Sequence, residues 1–499
     1  MKPTGTHIEP HPTSTLDRTE ANDESGRGLS KALGVFAIMA SAVAAEYGSG
    51  VNTLLSNALG AYPGITYLLP LAVVVAGLVL LPSVILYMRF ARVISSAGSA
   101  YVWMTTSLGP LAGFVTGFIY FVGVLGSMGF LAYIFSTFVA TFCQDLGASG
   151  IAAWCVSSGG RVVTGVALIF MTLLIHLRGV KQYGKFISAL FFGVLIAAVV
   201  TVFYGLTTSP DTVVSYVSAA IGKPIESPTV STPSIGAFFA VVTLFVYLYG
   251  GISAAPSLGG ESKDSGSTLA RGLFQGWLVA LILYAVVAFS LFHAVPWWIV
   301  NPAVRAGKGA MMTIPGLIGI MAPLAVSVTY KALIIIVAGK TTAPLMFDCS
   351  RNLYAWAIDG HVPKVFSHTN SRNVPAIALI TVAILTTLFL AETVYGGFQI
   401  GVAIRAVSLV LVSVMVAVGA LRIAHSDKFS QTEIRSALLK QGGITAISVL
   451  TIVFGLVLIY FGVVQHGVPL LLQPGVQGAF AAVLATLIFI ISKSRRVSL

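Results

Sequence analysis

The sequence predicts an all-α integral membrane protein of twelve transmembrane helices. Three observations carry that expectation: the scarcity of charge, the recurrence of apolar runs long enough to cross a bilayer, and the one-sided placement of the basic residues. Charged residues make up 9% of the 499 and apolar residues 57%, whereas ordinary soluble domains carry about 25% charge. A water-soluble chain of this size needs far more charge to cover its surface, so the solvent around most of it must be lipid. The formal net charge of +12 does not point to nucleic acid. The basic residues sit in short runs between apolar blocks and form no basic domain.

Residues 1–31 are polar and lack an apolar core, which reads as a disordered cytoplasmic tail and not as a cleaved signal peptide. A span needs about 20 mostly apolar residues to cross a core of roughly 30 Å. Runs of that kind centre near Ala45, Val79, Gly123, Ile169, Val194, Phe245, Val286, Ile336, Val382, Leu411, Ile452 and Val483. The fourth is short and the third long. Of the 28 Lys and Arg, four (Arg161, Lys223, Arg305 and Lys308) fall in outer loops if the N-terminus is inside, and three fall within spans. All the others lie on the inner side, including Lys493, Arg495 and Arg496 at the C-terminal end, so both termini are expected in the cytoplasm. Cys143 and Cys155 share one outer loop, a spacing that allows a small disulfide without requiring it.

Two spans carry interruptions. The first has Glu46-Tyr47-Gly48-Ser49-Gly50-Val51 at its centre, and the sixth has Tyr247-Leu248-Tyr249-Gly250-Gly251-Ile252-Ser253 followed by Pro256. Glycines weaken a helix where backbone groups can be satisfied only internally or by something bound. Paired interruptions at corresponding positions of two halves point to a transporter binding site. Freed amides can hold a carboxylate, and freed carbonyls an ammonium group or a cation. The plainer alternative is that these glycines only let helices pack closely.

With those motifs in view, the chain resembles the amino acid–polyamine–organocation permease superfamily. EYGSGV resembles that family's glycine-rich motif in helix 1, and ISSAGSAYVWMTTSLGP (94–110) its loop after helix 2. YGGISAAPSLGGESKD is similar to the helix 6 break and the loop beyond it, and SRNLYAWAIDGHVPK (350–364) to the end of helix 8. The resemblance implies a leucine-transporter-type fold with a 5+5 inverted repeat. The repeats would occupy residues 32–207 and 235–421, with helices 1 and 6 broken, two peripheral helices in 441–492 and a cytoplasmic tail at 493–499. It also implies a substrate site at Gly48, Ser49, Gly50, Val51, Tyr247, Tyr249, Gly250, Gly251 and Ser253. Two departures stand out. The acidic residue often found after the second glycine of the helix 6 motif is Ser253 here, and the helix 5 lysine of some proton-coupled members is replaced by Gly193 or Val194.

An ionisable side chain inside a bilayer is costly and marks a functional candidate. Glu46, Lys340, Asp348 and Arg405 qualify. At about 100° per residue, Lys340, Pro344, Asp348 and Arg351 share one stripe of helix 8 about 80° wide. Lys331 points the other way and can snorkel. In the resembled fold helices 1 and 8 are neighbours, and sodium-driven relatives bind a cation between them. Lys340 is therefore expected to stand in for that ion, with Glu46 as counter-charge, or else the two form a plain structural pair. Thr341 joins Glu46, Lys340 and Arg405 as a coupling or gating candidate. Arg405 either faces an aqueous vestibule or anchors a substrate carboxylate. Tyr47, Tyr247 and Tyr249 could cap a solute or be ordinary core. The histidines show no metal spacing, and His176, His361 and His368 are expected near solvated loops.

The expected function is secondary transport of amino acids or related amines by alternating access, sodium-independent and either proton-coupled or an exchange. A potassium or polyamine carrier of the same fold is the alternative. No cofactor, metal or phosphate loop is expected, and neither a channel's repeated pore motifs nor an enzyme's cluster of catalytic groups is visible. The expected partners are the small solute and the lipid of the cytoplasmic membrane, and a homo-oligomer is compatible with the pattern. If Lys340 does not neutralise Glu46, a cationic amine becomes the favoured solute; otherwise a zwitterionic amino acid does.

Overall fold

The computed structural model describes residues 29–228, 232–396, 400–463 and 469–497. Within them the fold is helical. Ten helices are long and apolar enough to cross a membrane, and the bent pair Ile235–Tyr249 and Gly251–Glu261 makes an eleventh span when its halves are taken together. The ten fall at the positions expected for all but the first and sixth spans, from Pro63–Val93 to Pro474–Ser494. Where the first span was expected stand two short helices, Val35–Glu46 and Ser49–Ala61, neither long enough to cross alone. The third span is the longest, Pro110–Asp145 with 36 residues, and the fourth, Ser158–Leu177, has 20.

Burial sorts the helices by position. In the third span and the tenth, Ile404–His425, 72% of the most apolar window is buried. In the last two, Ile444–Gly462 and Pro474–Ser494, the figures are 28% and 11%, so these lie at the rim. Phe170, Phe192, Ile196, Val199, Phe203, Ile282 and Phe289 are large, apolar and exposed. A belt of that kind would aggregate in water and suits contact with lipid.

Both ends of the bundle are tied. At one end, where the first span begins, the Ala32 and Leu33 amides donate to the Glu261 carbonyl and the Lys263 amide to the Leu33 carbonyl, each at 2.9 Å. The Glu261 carboxylate meets Arg351 at 2.6 Å, fully buried, and that guanidinium also lies 4.0 Å above the Phe347 ring. At the opposite end Lys331 pairs with Asp145 at 2.7 Å, and Ser327 donates to the same carboxylate. Lys331 was expected to snorkel to water; it finds a carboxylate on the third span instead. His176 and His361 depart from expectation too. Both are buried, His176 stacked on Tyr183 with its Nε2 2.8 Å from the Ala343 carbonyl. Cys143 and Cys155 are free, side by side in a small apolar cluster, and burial pushes the Cys155 thiol up.

Candidate substrate site between two broken helices

The first break is a change of backbone direction at two residues. Tyr47 leaves the helix in an extended conformation and Gly48 follows, so the carbonyls at the end of Val35–Glu46 have no helical partner. Gly48 is required by proximity: a Cβ there would lie 1.6 Å from Thr341 Oγ1. The sixth span changes from α-helix at Val246 to a tighter turn at Tyr247–Tyr249, then bends by 43° before Gly251. Gly251 sits against the first helix, where an added Cβ would come within 2.2 Å of the Ala42 carbonyl and 2.8 Å of Glu46 Cγ. The close-packing reading of these glycines therefore holds at both positions, and the packing brings the two breaks together.

A third break went unnoticed in the sequence. The eighth span, Leu324–Ile358, is interrupted at Lys340-Thr341 between the helices Leu324–Gly339 and Thr342–Ile358. Pro344 explains it, because its nitrogen cannot donate to the Lys340 carbonyl four residues back and its ring crowds that carbonyl. The Ala343 amide takes the Lys340 carbonyl instead, at 3.0 Å. Lys340 Nζ reaches the first break, where it donates to the Tyr47 carbonyl at 2.8 Å and to the Ala44 carbonyl at 3.4 Å. Burial of an ammonium needs such partners, and Lys340 is 2% exposed.

Glu46 is not its counter-charge. The carboxylate is 2% exposed, and neither oxygen has a hydrogen-bond partner, although the Ile252 backbone amide faces it. The Lys340 ammonium is held instead by backbone carbonyls that the break leaves free. Arg405 is likewise buried, 2% exposed, which removes the vestibule reading. Its Nη2 donates to the Gly250 carbonyl at 3.2 Å, its guanidinium lies 4.5 Å above the Tyr120 ring, and Nη1 has no partner. Asp348 points to another place. It accepts from the Tyr120 hydroxyl at 2.8 Å and from Asn352 at 3.1 Å, so the polar stripe of the eighth span serves three separate neighbours.

Between these groups lies a small cavity lined by Ala45, Glu46, Gly50, Ser127, Leu131, Tyr247, Gly250, Thr341, Leu345 and Arg405. Six of the residues expected from sequence are in that lining. Gly48 and Gly251 stand behind it, and Lys340 holds the first break from the side. Val51, Tyr249 and Ser253 are buried without lining the cavity; Tyr249 donates to the Val73 carbonyl and packs edge-on against Tyr284. Tyr47 stacks on the same Tyr284 ring, a core role. The Ser49 side chain lies outside the described residues. Ala45, Ser127, Leu131 and Leu345 were missed. Leu345 could have been inferred, since it lies one helical turn beyond Thr341, while the third span offers only a small-residue run, Gly126 to Gly129, as a signal. Among the described residues, no cluster of three or more His, Cys, Asp or Glu side chains is placed to hold a metal ion.

Residues 31–491 match a family described as amino acid permease. Among individual proteins, the chain is 26% identical over 385 residues to the branched-chain amino acid permease BcaP of Lactococcus lactis, covering 70% of this chain and 76% of that one. It is 24% identical over 313 residues to the D-serine/D-alanine/glycine transporter of Escherichia coli K12, covering 61% and 62%. Among solved structures, MhsT in complex with L-phenylalanine superposes with a TM-score of 0.60 at 13% identity, over 87% of this chain and all of that one. At that identity the likeness speaks for the fold alone.

Proposed function

The chain belongs to the amino acid permease family, whose matched members are transporters and not enzymes, and on that premise we propose that it carries neutral amino acids across the cytoplasmic membrane by alternating access without sodium. The names of the two matched relatives point to branched-chain and small neutral amino acids. The observation that carries the reading is the Lys340 ammonium on the Tyr47 and Ala44 carbonyls. The superfamily resemblance implies that sodium-driven relatives hold their cation between these same helices. A fixed ammonium donating to freed carbonyls makes a second cation there unfavourable by like-charge repulsion. The same repulsion weighs against potassium as the cargo at that point.

In this reading the two halves of the first span count as one broken helix, giving twelve spans. The 5+5 repeat occupies 32–207 and 235–421, with 441–492 peripheral and both termini cytoplasmic. The ties at Glu261–Arg351 and Asp145–Lys331 would open alternately, with proton coupling or exchange supplying the drive. The test is uptake of labelled leucine, alanine and glycine into proteoliposomes of the purified protein, with sodium replaced by choline on both sides. Uptake of at least one amino acid at an unchanged rate in choline is expected. Uptake that demands sodium would remove the role given to Lys340, and transport of none of a wide amino acid panel would remove the function.

A further inference from the structure

A solute ammonium in a broken-helix transporter would ordinarily look to the freed backbone carbonyls. In this protein four of those carbonyls are already taken. Lys340 holds Ala44 and Tyr47, the Asn52 side chain donates to the Gly48 carbonyl at 2.8 Å, and Arg405 holds Gly250. The strongest acceptor left at the cavity is the Glu46 carboxylate, with both oxygens buried and without hydrogen-bond partners. The donors left at the same cavity are Arg405 Nη1 and Thr341 Oγ1. Nearby, the helix Ser49–Ala61 follows Gly48 with no side-chain cap on its first amides.

We propose that Glu46 binds the ammonium group of the transported solute and Arg405 its carboxylate, so that the site selects zwitterions carrying both groups together with an apolar side chain. This rests on the transport reading above and deepens it. The apolar side chain follows from Ala45, Leu131, Leu345 and the Tyr247 ring, which supply the remaining walls. The charge balance supports the same class. The formal charges that line the cavity are Glu46 and Arg405, one of each sign. A net-neutral solute leaves that balance intact. An unneutralised Glu46 alone was expected to favour a cationic amine, but Arg405 lines the same cavity with Nη1 unpartnered and works against a cation without a carboxylate. A decarboxylated amine or a deaminated acid adds an uncompensated charge to a membrane interior, which is costly, and a polyamine leaves Arg405 unanswered.

Binding to the full chain in detergent tests this, using L-leucine, isopentylamine (leucine without its carboxylate) and 4-methylpentanoate (leucine without its amine), read by calorimetry or ligand-dependent melting. Wild type should bind leucine at least about tenfold more tightly than either analogue, the scale of one lost charge-assisted contact. Glu46→Gln should erase the preference over 4-methylpentanoate and keep that over isopentylamine. Arg405→Gln should do the reverse, while Glu46→Asp and Arg405→Lys keep part of both preferences. An analogue that binds wild type as tightly as leucine overturns the assignment of its missing group, a result that needs no variant to fold. Leucine binding with wild-type preferences in both Gln variants overturns the proposal and leaves the transport reading standing. Transport of no amino acid at all overturns the reading beneath it.

Discussion

At the scale of single residues, the site depends on side chains satisfying backbone groups that helix breaks set free. Lys340 makes two charge-assisted hydrogen bonds to carbonyls of the first break, each worth about 1.5–3 kcal/mol. Lys340→Met keeps the bulk and removes both donors, leaving buried carbonyls unpaired. A loss of several degrees in melting temperature is expected, measured on purified protein with and without amino acid. Gly48 gives a second residue-scale prediction. Gly48→Ala places a methyl 1.6 Å from Thr341 Oγ1, so it should abolish uptake, and Thr341→Ala in the same chain should restore part of it. Failure of the double variant to recover any uptake or stability would show that Gly48 serves its backbone conformation and not the close approach. The sequence disclosed Glu46, Lys340 and Arg405 because ionisable groups in apolar runs are conspicuous. It did not disclose their partners: which carbonyls a lysine can reach depends on how three helices bend toward one another.

At the scale of elements, the breaks of the first and sixth spans were legible from their glycines, whereas the break in the eighth was not. Pro344 was in plain view, but a single proline in a membrane helix is common and its consequence depends on local packing. Pro344→Ala supplies the missing amide and should let the helix run on through Lys340-Thr341, drawing the ammonium away from Tyr47. Uptake should fall as in Lys340→Met while folded protein persists in the membrane; wild-type uptake in this variant would mean the interruption is incidental. The tie at Glu261 and Arg351 is also an element-scale device, since it clamps the start of the first span and the end of the sixth against the eighth. Breaking a buried pair from one side costs about 3–5 kcal/mol. Arg351→Leu should therefore lower the melting temperature more than Lys331→Leu, because the Lys331–Asp145 tie is partly exposed.

At the scale of the whole molecule, composition and charge placement were enough to identify a many-spanned membrane protein, and motif resemblance was enough to name its superfamily. Ten of the twelve expected centres lie in helices long and apolar enough to cross a membrane, because a run of some 20 apolar residues has one stable form in lipid. The first span escaped that simplicity: where it was expected stand two helices, each too short to cross alone. The proposed orientation rests on the basic residues alone. Single cysteines introduced at Ser14 and Ser494 should resist an impermeant reagent applied to intact cells, and labelling of either would reverse the assignment.

The central claim is that a lysine of the eighth span fills the place of a driving cation beside an amino acid site. The most direct measurement is leucine uptake into proteoliposomes of wild type and Lys340→Met, in sodium and in choline. The account predicts wild-type uptake that is equal in the two salts, and Lys340→Met uptake that falls sharply. Wild-type uptake that requires sodium, or undiminished uptake in Lys340→Met, would contradict it.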